Sequence, residues 1–215
     1  MATRIELKRG SLGDVFLDRS ADTPVVVRDF HRARCLWLAR HLARREAAAL
    51  AVLAGGDGFP ALIAHENDRL VRSFIPGEVM YIGAPRSPNY FREALRRVRV
   101  LHRHRIAHND LAKEANWICR PDNQPGIVDF QLSICFSKRS RLFRLLARED
   151  LRHLLKHKRH YRPDALTQRE LDILARPMWP ARCWKTLVKP CYRFLTRRLL
   201  GWPDREDAAE RQRRA

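Results

Sequence analysis

The chain has 215 residues, 45% of them hydrophobic, and a formal net charge of +19 at pH 7. That length and apolar content suit one domain or a small two-lobed unit with a buried core, and they exclude a disordered polar chain. No run approaches the roughly 18 uncharged apolar residues of a membrane-spanning helix. The start Met1-Ala2-Thr3-Arg4 lacks an apolar signal stretch, and the five cysteines form no Cys-x-x-Cys pair, so free thiols in a reducing cytoplasm are expected. The charge is uneven: residues 136–215 carry 22 Lys and Arg against 9 Asp and Glu, and residues 1–135 carry 21 against 15. A basic excess of this kind suits an anionic partner, whether a membrane surface, a phosphorylated lipid or saccharide, or nucleic acid.

In chain order, Ile5 and Leu7 alternate with charges and Val15-Phe16-Leu17 resumes the apolar pattern. This predicts two strands joined by a turn at Gly10-Ser11-Leu12-Gly13. Two glycines in such a turn let backbone amides approach a phosphate, although an ordinary hairpin turn has the same composition. Pro24–Phe30 reads as a buried strand. Leu36, Trp37, Leu38, Leu42, Ala49, Leu50 and Leu53 form an apolar stripe that predicts a helix over 33–54, stopped by Gly55-Gly56, with Glu46 beside the stripe. Residues 59–64 and 69–75 read as a strand pair. Phe91, Leu95, Val98 and Leu101 predict a helix over 88–104, with Arg92, Arg96, Arg97, Arg99 and Arg103 facing outward. A further helix is predicted over 141–156 from Leu142, Leu145, Leu146, Leu151, Leu154 and Leu155, and Thr167-Gln168-Arg169-Glu170 has the form of a capping box.

The most informative stretch is 106–131. His108-Asn109-Asp110-Leu111 opens a polar loop that closes at Asn116, Trp117-Ile118-Cys119 is a short strand, and a turn at 121–126 returns the chain as Ile127-Val128 to Asp129-Phe130-Gln131. Two carboxylates and an amide therefore converge at the ends of one hairpin. Phosphoryl transfer uses such a set: one carboxylate to orient the attacking hydroxyl, and a second carboxylate with an amide oxygen to hold magnesium. His102, His104 and His108 lie close in sequence, but no cysteine or carboxylate set completes a zinc-type site around them.

This stretch resembles the catalytic and metal-binding loops of the protein-kinase-like superfamily, His-x-Asp-Leu…Asn followed by Asp-Phe-Gly. The resemblance covers roughly residues 5–156. It implies an α+β, two-lobed fold with a small antiparallel-sheet N-lobe carrying one helix (1–75), a mainly helical C-lobe with the catalytic and metal loops (76–160), and a basic aromatic extension (161–215). It also implies ATP and Mg²⁺ as cofactors. Asp110 takes the place of the catalytic base, and Asn116 and Asp129 the places of the metal ligands. Gly10 and Gly13 fall at the glycine-rich loop, and Arg28 and Glu46 at the third-strand cation and its helix partner. Lys113 matches a catalytic-loop lysine that reaches the γ-phosphate, or is a solvated loop lysine. Ser73–Ile75 falls at the hinge where an adenine binds.

Four departures from the family pattern stand out. Arg28 replaces a lysine, which leaves three readings open: Arg is tolerated, a nearby cation such as Lys8 substitutes, or the chain is a weak or dead enzyme. Asn109 replaces the usual Arg, which implies no activation through a phosphorylated loop. Asn116 comes one residue late after Asp110. Gln131 replaces a glycine, which implies a more fixed metal loop. Only about ten residues separate Gln131 from the next helix, so the peptide-holding activation segment is missing, as in RIO-type kinases and bacterial lipopolysaccharide kinases. The resemblance thus implies an ATP-dependent kinase acting on a protein, lipopolysaccharide or lipid-borne sugar hydroxyl. The alternative is a membrane-associated pseudokinase that binds nucleotide without turnover. Cys183-Trp184-Lys185 and Cys191–Trp202 interleave aromatics with Lys and Arg, which suits either an interfacial helix on the inner face of the membrane or a helix packed on the C-lobe; nucleic acid is the least favoured partner.

Overall fold

In the computed structural model, which describes residues 4–175 except 21 and 67, residues 4–73 supply five antiparallel strands. These are β1 (Arg4–Lys8), β2 (Asp14–Asp18), β3 (Val25–Asp29), β4 (Leu62–Glu66) and β5 (Arg69–Ser73), in the order β1-β2-β3-β5-β4. β3 is central, so the run Val26-Val27-Arg28 is buried on both faces. Its register pairs Val26 with Arg72 and Arg28 with Leu70. Directly opposed residues share a face of the sheet, so Arg28 and Arg72 stand one diagonal step apart on one side.

Helix α1 (Leu36–Leu53) packs Ala39, Ala43 and Ala47 against Phe30 and Leu70. Small side chains allow the helix to approach the sheet closely. The helix begins three residues later than the apolar pattern predicts, and Trp37, expected inside, is 72% exposed because the alanine face turns inward instead. The turn between β1 and β2 has a packing reason for one glycine. Gly13 has φ +110°, and a Cβ there would lie 2.6 Å from the Asp29 carbonyl oxygen.

The chain then leaves the sheet along Phe74–Gly77. Gly77, at φ +139°, packs so tightly that a Cβ would come within 2.4 Å of the Cys119 carbonyl oxygen. The second half contains β6 (Glu78–Val79), α2 (Met80–Gly83), α3 (Pro88–Arg103), β7 (Ile106–Ala107), β8 (Trp117–Cys119), β9 (Pro125–Ile127), β10 (Ile134–Cys135), α4 (Arg141–Tyr161) and α5 (Gln168–Ala175). The order β6-β8-β9 forms one small sheet, and β7 pairs with β10 in another. The return strand of the hairpin is Pro125–Ile127, two residues before the expected Ile127-Val128. Met80, Tyr90, Phe91, Val98, Leu101, Leu111, Trp117, Ile127, Phe130 and Leu154 form the main core with Leu50 and Leu53 of α1.

Helix α4 runs five residues past its predicted end, to Tyr161. Leu142 is exposed and Phe143 takes the inner position. Arg97 of α3, expected to face water, pairs with Asp57. The capping box forms: the Thr167 N–H donates to Glu170 Oε2 at 2.8 Å and the Glu170 N–H to Thr167 Oγ1 at 3.3 Å. Lys158 bonds both oxygens of Glu170 at 2.8 and 2.9 Å, which ties α5 to α4. No helix among the described residues is long and apolar enough to cross a membrane. The basic aromatic segment at 183–202 lies outside the described residues.

Candidate active site

The polar loop after β7 is fixed from below by α4. Asp150, 1% exposed, accepts the backbone N–H of His108 at 2.8 Å and that of Asn109 at 2.9 Å, and His102 Nε2 lies 3.3 Å from it. A carboxylate that receives backbone donors in a buried site is a strong anchor, because each bond is charge-assisted and no water competes. Asn109, at φ +63°, sends its amide to the carbonyls of Ala107 and Leu132 at 3.3 and 3.0 Å. The His108 ring packs on Phe130 with centroids 4.7 Å apart, and its Nε2 meets the Val128 carbonyl at 3.2 Å. The loop after β7 and the segment around Asp129 are thereby joined. Leu111 is held as well, its carbonyl accepting Trp117 Nε1 at 3.1 Å and facing His157 Nε2 at 2.9 Å.

On this base the structure brings Asp110, Lys113 and Asn116 together. Asn116 Nδ2 donates to both the backbone carbonyl and Oδ2 of Asp110 at 2.9 Å, and Lys113 Nζ lies 2.9 Å from the same Oδ2. The extra residue between Asp110 and Asn116 is taken up in a 3₁₀ turn, Glu114–Asn116. Burial pushes the Asp110 carboxyl above its usual range, with Asp129 adding to the rise; Lys113 and Asn116 oppose it.

Asp129 lies at φ +65°, in the left-handed region, where non-glycine residues are uncommon. The Gln131 amide donates to its Oδ1 at 2.6 Å. Burial works to raise the Asp129 pKa, but the Arg28 and Arg72 guanidiniums, Gln131 and Lys113 together bring it down to about 2. Arg28 Nη1 donates to Glu46 Oε2 at 2.9 Å, so the expected strand-to-helix pair is present, and Arg28 Nη2 stands 3.8 Å from Asp129 Oδ1. Arg72 Nη1 lies 3.1 Å from the other Glu46 oxygen.

Gly10 and Gly13 close their turn with a Gly13 N–H to Gly10 carbonyl bond of 3.2 Å, and the Gly10 N–H meets Asp14 Oδ1 at 3.4 Å. Lys8 lies on the exposed strand β1. Near the connector, Val15, Leu17 and Val26 cluster with Phe74 into a small apolar group. A surface hollow of about 380 Å³ lined by Arg40, Arg44, His65 and Glu66 shares no residue with the carboxylate cluster.

The donor set fits magnesium. Asn116 and Asp129 offer hard oxygens, and Asn116 keeps its amide oxygen available because Nδ2 makes the bonds to Asp110. Magnesium at a nucleotide site is commonly held by one or two protein oxygens together with phosphate oxygens, which matches a pair of the Asn116 and Asp129 kind.

Sequence reasoning missed Arg72, Asp150 and Arg45. Asp150 was detectable in principle, since it falls in step with Phe143, Leu154 and His157 on the inner side of α4. Arg72 has the same parity as Leu70, which marks it as inward. Nothing local flags Arg45, which reaches from α1 to the carbonyls of Leu132 and Ser133 at 2.8 and 2.9 Å.

No protein-family model matches the sequence, and comparison with curated proteins finds no relative. Among solved structures, the chain is similar to the Rio2 kinase from Chaetomium thermophilum, with a TM-score of 0.58 and 17% sequence identity over 80% of this chain and 62% of that one. The chain thus spans less than two thirds of the length of that kinase. At such identity the likeness carries the fold. With its antiparallel sheet, single covering helix and mainly helical second half, the chain has the two-lobed protein-kinase-like fold, and its resemblance runs to the RIO-type kinases.

Proposed function

We propose that the protein is an ATP- and Mg²⁺-dependent phosphotransferase that moves the γ-phosphoryl group to a hydroxyl. The observation that carries this reading is the convergence of Asp110, Asn116, Asp129 and Arg28 from three separate segments onto one cluster. Asp110 orients the attacking hydroxyl and takes its proton; its raised pKa brings it closer to what a base needs. Asn116 and Asp129 hold the metal, and Asp129 stays ionised at neutral pH. A bound magnesium ion would neutralise phosphate charge and fix the polyphosphate. Arg28, paired with Glu46, offers its guanidinium to the phosphates, and Lys113 lies on the γ-phosphate side next to Asp110. Gly10 and Gly13 cover the phosphates, and the apolar group at Val15, Leu17, Val26 and Phe74 receives the base. In this division residues 1–75 hold the nucleotide, 76–160 carry the catalytic and metal loops, and 161–215 are a basic aromatic extension suited to docking on a membrane.

The acceptor is a protein serine or threonine, or the hydroxyl of a lipopolysaccharide or lipid-borne sugar. The short path from Leu132 to α4 at Arg141 and the basic C-terminal part favour an anionic, lipid-borne acceptor reached from the cytoplasmic face of the membrane. A second reading, nucleotide binding without turnover, is favoured by one observation: Arg28 reaches across to Asp129, so a guanidinium already stands at the metal carboxylate. The deciding experiment is transfer of label from γ-labelled ATP with Mg²⁺ and a bacterial envelope extract, beside Asp110→Ala. Label in lipid or saccharide that Asp110→Ala abolishes supports the favoured acceptor, and label in protein alone supports the serine or threonine acceptor. Nucleotide binding with no label above the control supports the second reading.

A further inference from the structure

Four charges meet between the sheet and α1. Glu46 Oε2 takes the Arg28 hydrogen bond and Oε1 faces Arg72, while Arg28 also faces Asp129. The Arg28 and Arg72 side chains are only 9% and 10% exposed and that of Glu46 only 1%, so water screens these charges little. Two guanidiniums balance two carboxylates. The contact between Arg72 and Glu46 is short but misaligned: neither Arg72 Nη1 nor Glu46 Oε1 has a hydrogen-bond partner. A buried donor and acceptor left in this condition are costly, so the packing of the sheet alone does not account for an arginine at 72.

We propose that Arg72 is a second cation of the nucleotide site, anchoring Glu46 so that Arg28 is available to the polyphosphate of a metal–nucleotide. This rests on the phosphotransferase reading above. The charge balance carries it. When Asp129 serves a divalent cation, its carboxylate no longer offsets a guanidinium. Glu46 alone then faces both arginines, and the interior holds one positive charge in excess. A polyphosphate is the anion that meets this charge. With a neutral residue at 72, Arg28 and Glu46 would satisfy one another, and phosphates would have to compete with Glu46 for Arg28. Metal and nucleotide are therefore coupled through Arg72, in the sense that each binds better once the other is present. The arrangement also gives Arg at position 28 a reason: a forked group has one nitrogen for Glu46 and another to offer elsewhere, which an ammonium does not.

The test is calorimetric titration of ATP into the full chain, with Mg²⁺ and with EDTA, for the unsubstituted protein, Arg72→Gln and Arg72→Lys. The expected result is a Kd for ATP in Mg²⁺ weakened roughly ten-fold by Arg72→Gln, within the span of ordinary coupling between linked sites, a much smaller change in EDTA, and recovery of most of the affinity by Arg72→Lys. A residue with a purely structural role would lower the melting temperature and leave Kd in place, so an unchanged Kd for folded Arg72→Gln overturns the proposal alone. Absence of ATP binding by the unsubstituted chain overturns both this proposal and the reading it rests on. Should Arg72→Gln fail to fold, Arg72→Met keeps the packing of the stem and reads the same loss.

Discussion

Gln131 holds Asp129 through a 2.6 Å bond from its amide nitrogen to Oδ1, at a position where the backbone of Asp129 is left-handed. The side chain that stands in place of a flexible glycine thus orients the carboxylate. Gln131→Gly should raise the Mg²⁺ concentration needed for half-maximal ATP binding several-fold, with little change in thermal stability, because the bond is partly exposed and lies at the end of a turn. A magnesium titration monitored by nucleotide binding checks this. An unaltered midpoint would show that the bond does not position Asp129.

Arg28 spans two carboxylates with two nitrogens, 2.9 Å to Glu46 and 3.8 Å to Asp129. A single ammonium cannot reproduce that fork. Restoring the family's lysine through Arg28→Lys should therefore lower phosphotransfer, by about ten-fold or more in kcat/KM, on the scale of one lost charge-assisted contact. A rise in kcat/KM would show that Arg28 is a defect the fold tolerates.

With Asp110 as the proposed base, its raised pKa should set the acid limb of the rate profile. Since Lys113 lowers this pKa against burial, Lys113→Ala should move the acid limb of kcat/KM to higher pH, and the unsubstituted limb should lie above the ordinary aspartate value of about 3.9. Initial rates across pH 4–8 measure both. A limb that stays in place in Lys113→Ala would exclude Asp110 as the group responsible.

Asp150 is a stability prediction. Removing it orphans two buried backbone N–H groups under the polar loop. Asp150→Ala should cost about 3 kcal/mol, and thus lower Tm by roughly 6–12 °C in a chain of this size. Asp150→Asn, which can still accept one of the two bonds, should cost less. Thermal melts of both variants test the order.

His153, on α4, is kept neutral: burial lowers its pKa from the ordinary 6.5 to about 4, with Lys156, His157 and Arg152 adding to the fall and Asp150 opposing it. His157 shifts in the same direction, chiefly through burial. The unfolded chain gains a proton near pH 6.5 that the folded chain refuses until about pH 4. Stability is thus full above pH 6.5 and declines as pH falls toward 4, by up to about 3 kcal/mol for His153. Urea unfolding at pH 7.5 and 5 should show the drop, and His153→Gln should flatten it. Equal stability at the two pH values for the unsubstituted chain would contradict the neutral buried state.

Much of this was legible from residue order. The sheet strands and the three long helices followed from period-two and period-3.6 patterning, and the capping box at Thr167 formed as its spacing implied. The pairing of Arg28 with Glu46 was readable only through the resemblance to the kinase-like pattern, which sets a strand cation against a helix glutamate, and the 18-residue interval agrees with it. Other features were hidden because they depend on distance across the fold. Trp37 was expected inside on hydrophobicity alone, but the close approach of α1 to the sheet selected the alanine face. Arg72 becomes visible only through its register with Val26, which sets it on the inner face. Asp150 stands one residue before Leu151 in a basic stretch, and only the folded helix shows that it holds the loop that carries Asp110.

Arg45 has a mechanical consequence. Its guanidinium is fastened to the carbonyls of Leu132 and Ser133, while Glu46, the next residue, is fastened to the sheet. One turn of α1 therefore acts as a lever whose two arms end on the metal loop and on the arginine pair. A tilt of that turn would have to break one set of bonds or carry the other with it, so the segment after Asp129 and the arginine pair are tied to one rigid piece of helix.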